Sequence, residues 1–184
     1  MGFRVVLFKI DGKTVEQIHQ EYEVTATEEH EEFPESPVCG AEIPEGGYLL
    51  YINDQIYPDE QVFQKLSQGA SLIACRVNET VGSSDACCWM NGVERWMVLH
   101  DCQLGPHHLE TEGELPKEIE QIRATLFSRQ EELDDADYIF DIPVDLFAAL
   151  GGIRYSEDIV GAGPRPWRVL ARIPRKKWWW PFDR

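Results

Sequence analysis

Residues 70–101 constrain the fold more than any other part of the chain. They hold three runs rich in β-branched, apolar and aromatic residues, at 71–78, 84–90 and 93–100. Asn91 and Gly92 separate the last two runs, and an Asn-Gly pair readily adopts the positive φ angles of a type I′ hairpin turn. The stretch therefore predicts an antiparallel β-meander in the middle of a sheet, with Trp89 and Trp96 largely buried on it.

The remaining periodicity places further elements around this meander. Apolar runs predict an inner strand at residues 3–10 and another strand at 47–53. Apolar residues spaced by three and four predict helices, at 15–22 after a Thr14 cap, 59–69, 117–133 and 143–150. Other expectations are an edge strand at 108–112, an extended piece at 138–140, a strand at 167–173 with Trp167, Val169, Ala171 and Ile173 on one dry face, and a loop over residues 25–44.

The length and composition predict one domain that can bury a substantial core. The chain has 184 residues, of which 43% are hydrophobic, and this is short for two full domains. The predicted class is α+β, a mainly antiparallel sheet with the meander at about 70–101 packed by two to four helices. We assign residues 1–164 to the core domain and residues 165–184 to a basic, Trp-rich segment that folds back on it.

Cysteine usage and the N-terminus both favour a cytoplasmic protein. The five cysteines form no C-x-x-C pair, and most lie within predicted strands, so we expect reduced, buried thiols. The apolar N-terminal run is short and soon charged, which argues against a signal peptide. No run reaches the roughly 18 apolar residues of a membrane span. The five cysteines are Cys39, Cys75, Cys87, Cys88 and Cys102.

The charge distribution points to a basic partner. The net charge is −16, which argues against nucleic-acid binding by the body of the protein, because phosphate contacts require a basic face. No Lys or Arg lies between Lys13 and Lys65, whereas thirteen Asp and Glu residues do. The candidate partner-binding residues in this interval are Glu28, Glu29, Glu31, Glu32 and Glu35.

The C-terminal segment has the opposite charge. Residues 165–184 carry seven bases and one acid, a local charge of +6. One interpretation is a clasp, in which the Trp side chains cover a groove of the same molecule and the bases meet the acidic interval. The alternatives are insertion at a membrane interface or stacking on nucleic-acid bases, which an anionic body disfavours. The clasp residues are Arg175, Lys176, Lys177, Trp178, Trp179 and Trp180.

One segment contains every type of ligand that zinc prefers. His100, Asp101, Cys102, His107 and His108 fall within nine residues. Their spacing matches no closed zinc motif, and adjacent histidines tend to point apart, so we expect no metal and no cofactor. A Cys nucleophile activated by His100 would need an orienting group that the pattern does not supply.

Residues 138–155 resemble a group of small acidic bacterial cytosolic proteins of uncharacterised function. In that group an aromatic, acidic and proline-containing entry precedes a short helix that ends in Gly-aromatic-Arg. Here the helix is followed by Gly152, Ile153 and Arg154. In size, acidity and α+β layout the chain is also similar to the immunity proteins of bacterial toxin systems. Neither resemblance assigns a role to a residue.

Two classes of function remain open on this basis. The first is a protein-binding or inhibitory, immunity-like module whose anionic face recognises a basic partner, with association accelerated by electrostatic steering. The alternative is a small hydrolase or metal-dependent enzyme that uses residues 100–108. The composition favours the binding module and leaves the oligomeric state open.

Overall fold

The fold is built mainly from strands, and its predicted α+β class is confirmed. The structure is a computed structural model that describes residues 2–53, 57–133 and 135–174. Over these residues the chain forms nine strands and four α-helices. In chain order they are β1 (Arg4–Asp11), α1 (Val15–Tyr22), β2 (Val24–Glu31), β3 (Val38–Glu42), β4 (Tyr48–Ile52), α2 (Glu60–Ser67), β5 (Ser71–Asn78), β6 (Ser83–Met90), β7 (Val93–Asp101), β8 (Glu110–Gly113), α3 (Glu118–Glu132), α4 (Asp141–Ala149) and β9 (Trp167–Arg172).

All nine strands belong to one antiparallel sheet with the order β2-β9-β3-β4-β1-β5-β6-β7-β8. The predicted meander is confirmed as β5, β6 and β7. Asn91 and Gly92 have φ angles of 52° and 76°, as the hairpin turn between β6 and β7 requires. β1 is an inner strand, as predicted, because it pairs with β4 on one side and β5 on the other.

Alternation along the strands divides the core between the two faces of the sheet. On the Phe8 face, the side of the sheet to which Phe8 points, α1 and α2 cover the centre and pack through Ile18, Phe63 and Leu66. On the opposite Leu7 face, α4 and α3 cover the sheet. Trp89 and Trp96 are each 7% exposed. Trp89 packs in the core cluster on the Phe8 face and Trp96 in a core cluster on the Leu7 face, so the two rings lie on opposite faces of the sheet.

The predicted loop at residues 25–44 is wrong, because most of the interval is strand. β2 pairs with β9, and β3 pairs with β4 and β9. Both β2 and β3 are antiparallel to β9 and therefore run parallel to each other on either side of it. Residues 32–37, which we call the crossover loop, make the connection past β9.

Two further expectations about the second half of the chain are corrected. Residues 138–140 form a turn instead of an extended piece, and α4 begins at Asp141, two residues before the predicted start. The reason is local: Asp137 Oδ1 accepts a hydrogen bond from the Phe140 amide, at 3.2 Å, and so turns the chain into the helix.

β9 also differs from its predicted pattern. Trp167 is buried on the Leu7 face and Leu170 on the Phe8 face, while Ala171 is exposed. The strand therefore has two partly buried faces instead of one dry face. The predicted clasp residues at 175–180 lie outside the described residues. Within the part of the chain that the structure describes, no helix has the length and hydrophobicity to cross a membrane.

Candidate protein-binding site on the acidic edge

The acidic interval lies at one edge of the sheet, because β2 is the first strand in the sheet order. The pairing of β2 with β9 shifts register between Ala26 and His30, which marks a β-bulge. Thr27 holds this bulge. Its hydroxyl donates to the Val169 carbonyl at 2.9 Å and accepts from the Glu29 amide at 3.1 Å. The bulge directs Glu28 and Glu29 into solvent, where both are exposed.

Glu31 organises the crossover loop that follows β2. Its Oε2 accepts from the backbone amides of Glu35 and Ser36, at 2.8 and 3.1 Å. Its Oε1 accepts from the Ser36 hydroxyl at 2.5 Å, and the Cys39 thiol donates to Oε2 at 3.3 Å. Burial raises the pKa of Glu31, but the hydrogen bonds from Ser36, Cys39 and Glu35 outweigh it and leave the pKa below its ordinary value.

A second clamp fixes the crossover loop from the side of β4. The Asn53 side-chain amide donates to the carbonyls of Pro34 and Ser36, at 2.5 and 2.9 Å. The Asn53 backbone amide donates to the Pro37 carbonyl at 2.9 Å. These bonds satisfy three carbonyls in a loop that crosses the sheet and has no ladder partners of its own. The loop is therefore pre-organised by hydrogen bonds to both Glu31 and Asn53.

The two clamps display an aromatic ring among carboxylates. Phe33 is 52% exposed, and Glu32 and Glu35 on either side of it are exposed. We define the acidic edge as Glu28, Glu29, Glu32, Phe33 and Glu35. An exposed aromatic residue on a rigid loop is suited to anchor a partner, and a charged rim adds specificity. The sequence alone does not identify Phe33 as a surface residue, because its exposure depends on the clamps.

The acidic edge retains most of its negative charge. Glu28 is fully exposed, and its Oε1 lies 3.9 Å from Arg168 Nη2. An exposed ion pair of this kind contributes about 1 kcal/mol or less to stability. Arg168 instead donates through Nε to the Thr27 carbonyl at 2.8 Å. Four of the five predicted partner-binding residues thus point to solvent, whereas the Glu31 carboxylate is used inside the loop.

The histidines predicted as weak metal candidates have separate structural partners. His100 is fully buried, and its ring nitrogens lie 2.7 Å from the His108 carbonyl and 2.9 Å from Asp137 Oδ2. His108 Nδ1 accepts from the Asp101 amide at 3.0 Å, and the exposed His107 ring stacks on Phe127. Among the described residues, no three His, Cys, Asp or Glu side chains are grouped closely enough to hold a metal ion.

The cysteines are free, and four of the five are buried as expected. Burial is the main cause that raises the pKa of Cys39 and of Cys87 to about 12 each. Cys102 departs from the expectation and is exposed. It follows the end of β7 in a single 3₁₀ turn at Cys102–Leu104, where its thiol donates to the Val81 carbonyl at 3.2 Å.

Comparison with protein-family models, with curated proteins and with solved structures finds no match for this chain. The geometry of the acidic edge is therefore the main support for a functional proposal.

Proposed function

We propose that the chain is a protein-binding module that recognises a basic protein through the acidic edge. The observation that carries the proposal is the clamped crossover loop, which holds Phe33 exposed between Glu32 and Glu35. A partner with a basic rim around an apolar pocket complements this surface in both charge and shape. Inhibition of that partner in the cytoplasm, as in toxin-immunity pairs, is the form of binding that the resemblance favours.

Two physical features support a docking surface over a merely solvated edge. The Glu31 and Asn53 clamps already fix the crossover loop in the free protein. Binding therefore costs less conformational entropy than it would for a flexible loop. The bulge and the charges of β2 also disfavour pairing with another copy of this edge. The acidic edge is thereby kept available for a partner of opposite charge.

The test compares proteins captured from a bacterial lysate at low and high salt by three forms of the chain. They are the wild type, a quadruple Glu28→Gln, Glu29→Gln, Glu32→Gln and Glu35→Gln variant, and a Phe33→Ala variant. We expect basic proteins to be captured by the wild type at low salt, and to be lost or reduced with both variants. Capture by the wild type should fall at high salt. The Debye length is about 8 to 10 Å at physiological ionic strength, and added salt shortens it and screens the exposed charges further.

A matched control neutralises the same number of carboxylates elsewhere. Glu114 follows β8, at the edge of the sheet opposite to β2, and Glu120, Glu131 and Glu132 lie on α3. All four are exposed, so their replacement by Gln changes the net charge equally. This control should capture the same basic proteins as the wild type. The proposal is wrong if the quadruple acidic-edge variant and the control capture the same proteins in the same amounts.

A further inference from the structure

His100 has a fully buried side chain near the end of β7. Its Nδ1 lies 2.7 Å from the carbonyl oxygen of His108, in the loop between β7 and β8. Its Nε2 lies 2.9 Å from Asp137 Oδ2, in the connection between α3 and α4. We call these three residues the histidine bridge, because the ring joins three separate parts of the chain. β7 is seven positions from β2 in the sheet order, so the bridge is separate from the acidic edge.

Both nitrogens of the His100 ring face oxygen atoms that accept hydrogen bonds and cannot donate them. Neither a backbone carbonyl nor an ionised carboxylate carries a proton. A neutral imidazole has one N–H and can make only one of the two contacts, whereas an imidazolium has two and can make both. A flip of the ring would put carbon atoms in place of both nitrogens and would lose both contacts. The observed geometry is therefore that of a protonated ring.

Asp137 is suited to be the ionised partner of this ring. Its side chain is 34% exposed, so water still hydrates the carboxylate. Its Oδ1 accepts from the Phe140 amide at 3.2 Å, and a hydrogen bond to the charged form favours that form. A buried charge is costly unless it is both paired and hydrogen-bonded. The Asp137 carboxylate and the His108 carbonyl supply both conditions for a positively charged His100.

His108, the other titratable group that faces the His100 ring, has the opposite requirement. Its Nδ1 accepts from the Asp101 amide at 3.0 Å, so this nitrogen carries no proton. Its Nε2 therefore carries the single N–H and lies 3.2 Å from Glu110 Oε1. The centroids of the His100 and His108 rings are 6.2 Å apart, and a second positive charge close to the first is unfavourable. The geometry thus places the positive charge on His100 and leaves His108 neutral.

We propose that the histidine bridge is a pH-dependent switch that holds the β7–β8 loop and the start of α4 on the sheet. Protonated His100 donates to both segments. Loss of its proton leaves a nitrogen lone pair opposite an oxygen, so one contact is lost. The start of α4 depends on that contact, because Asp137 accepts from the Phe140 amide and the Phe140 carbonyl accepts from the Ser84 hydroxyl of β6 at 2.7 Å.

The sign of the pH dependence follows from the two acceptors. They stabilise the protonated ring in the folded chain, and the unfolded chain does not hold them in place. The stabilisation is therefore present while His100 is protonated and is lost as the pH rises through the range of about 5 to 8 in which histidines change charge. The switch is independent of the proposed function, since none of its residues belongs to the acidic edge.

The experiment compares urea titrations of the wild type and an Asp137→Asn variant from about pH 6 to about pH 8. The Phe140 amide retains the side-chain oxygen in the variant, so the new amide NH₂ group faces His100 Nε2 and donates where the carboxylate accepted. A neutral ring then makes both contacts. The folding equilibrium constant of the wild type, divided by that of the variant, should fall by about tenfold over this range, because one proton changes such a constant by at most about tenfold per pH unit.

Asp135→Asn is the matched control, because it removes a carboxylate from the same connection between α3 and α4. Asp135 Oδ1 accepts from the Tyr138 hydroxyl at 2.7 Å and not from a histidine. The ratio of the wild-type constant to that of this control should stay the same over the pH range.

Ring ¹⁵N spectra of the histidines give a second measurement that does not depend on stability. The His100 signals are assigned by the contact of this ring with the Phe140 ring. At the acid end of the range, both ring nitrogens of His100 should carry protons in the wild type, but only Nδ1 should in the Asp137→Asn variant. A neutral His100 in the wild type under these conditions would overturn the proposal, and so would a wild-type to Asp137→Asn ratio that does not change with pH.

Discussion

Glu31 illustrates how one residue type serves two purposes in the same acidic run. Glu28, Glu29, Glu32 and Glu35 carry exposed carboxylates, whereas the Glu31 carboxylate accepts hydrogen bonds from two amides, a hydroxyl and a thiol. In the sequence these five glutamates are equivalent, because nothing in the run Glu-Glu-Phe-Pro-Glu-Ser shows which carboxylate accepts hydrogen bonds from Ser36 across the turn. The loop that displays the acidic edge depends on the one member that is turned inward.

The first prediction concerns Glu31 and pH. Replacement of Glu31 by Ala should lower the free energy of unfolding by about 2 kcal/mol at neutral pH, because charge-assisted hydrogen bonds are lost. The folded-state pKa of Glu31 lies below its ordinary value of 4.5. Its stabilisation is therefore present above that value and is lost as the pH falls through the lowered folded-state pKa.

Urea titrations of wild type and Glu31→Ala between neutral and acidic pH measure this difference. The gap between the two proteins should shrink as the pH falls. Glu32→Ala provides the control, since an exposed neighbour should change stability by about 0.5 kcal/mol or less at every pH. A gap that stays constant into the acid range would show that the Glu31 carboxylate does not provide the stabilisation.

At the scale of elements, the sequence predicted structure wherever local chemistry is sufficient. The meander has β-branched runs and an Asn-Gly turn, and α1 has a Thr14 cap that accepts from the Gln17 amide at 3.3 Å. β2 was missed because residues 24–31 carry few apolar side chains. Its pairing comes from β9, about 140 residues away in the chain, and an edge strand needs backbone partners more than apolar side chains.

The second prediction tests the two faces of the meander. Because Trp89 and Trp96 are both buried, either one replaced by Ala should cost roughly 3 to 5 kcal/mol. The two rings lie in different core clusters, so the costs in the double variant should add to within about 0.5 kcal/mol if its folded state persists. Chemical denaturation of the two single variants and of the double variant gives all three values.

The surface variant Met90→Ala is a useful reference, since Met90 lies between the two tryptophans in sequence and is 42% exposed. It should change stability much less than either tryptophan variant. A near-zero effect of Trp89→Ala or Trp96→Ala would place that ring outside the cooperative core. Strong non-additivity would indicate that the two faces are coupled through the sheet.

At the scale of the whole molecule, β9, the last strand in the chain, joins the part of the sheet that is formed by the first four strands. β9 lies between β2 and β3, although β2 and β3 are neighbours along the chain. Trp167 packs edge-on against Tyr51, with ring centroids 5.6 Å apart, and Leu170 joins the core on the other face. The acidic edge therefore reaches its final form only after the C-terminal part of the chain has docked, because β2 pairs with β9.

The third prediction compares two truncations. A chain that ends at Pro164 lacks β9, so it leaves β2 without its strand and removes Trp167 and Leu170 from two core clusters. Loss of two such side chains costs about 5 to 10 kcal/mol, comparable with the whole stability of a typical domain. This form should be unfolded or aggregated, and a synthetic peptide of residues 165–174 added during refolding should restore folded protein, measured by circular dichroism.

A chain that ends at Pro174 keeps β9 and should fold. The clasp interpretation adds that its melting temperature falls at both low and high salt, because the lost contacts are mainly those of Trp rings. A cooperative, wild-type-like melt of the Pro164 truncation would show that β9 does not hold the acidic edge in the sheet.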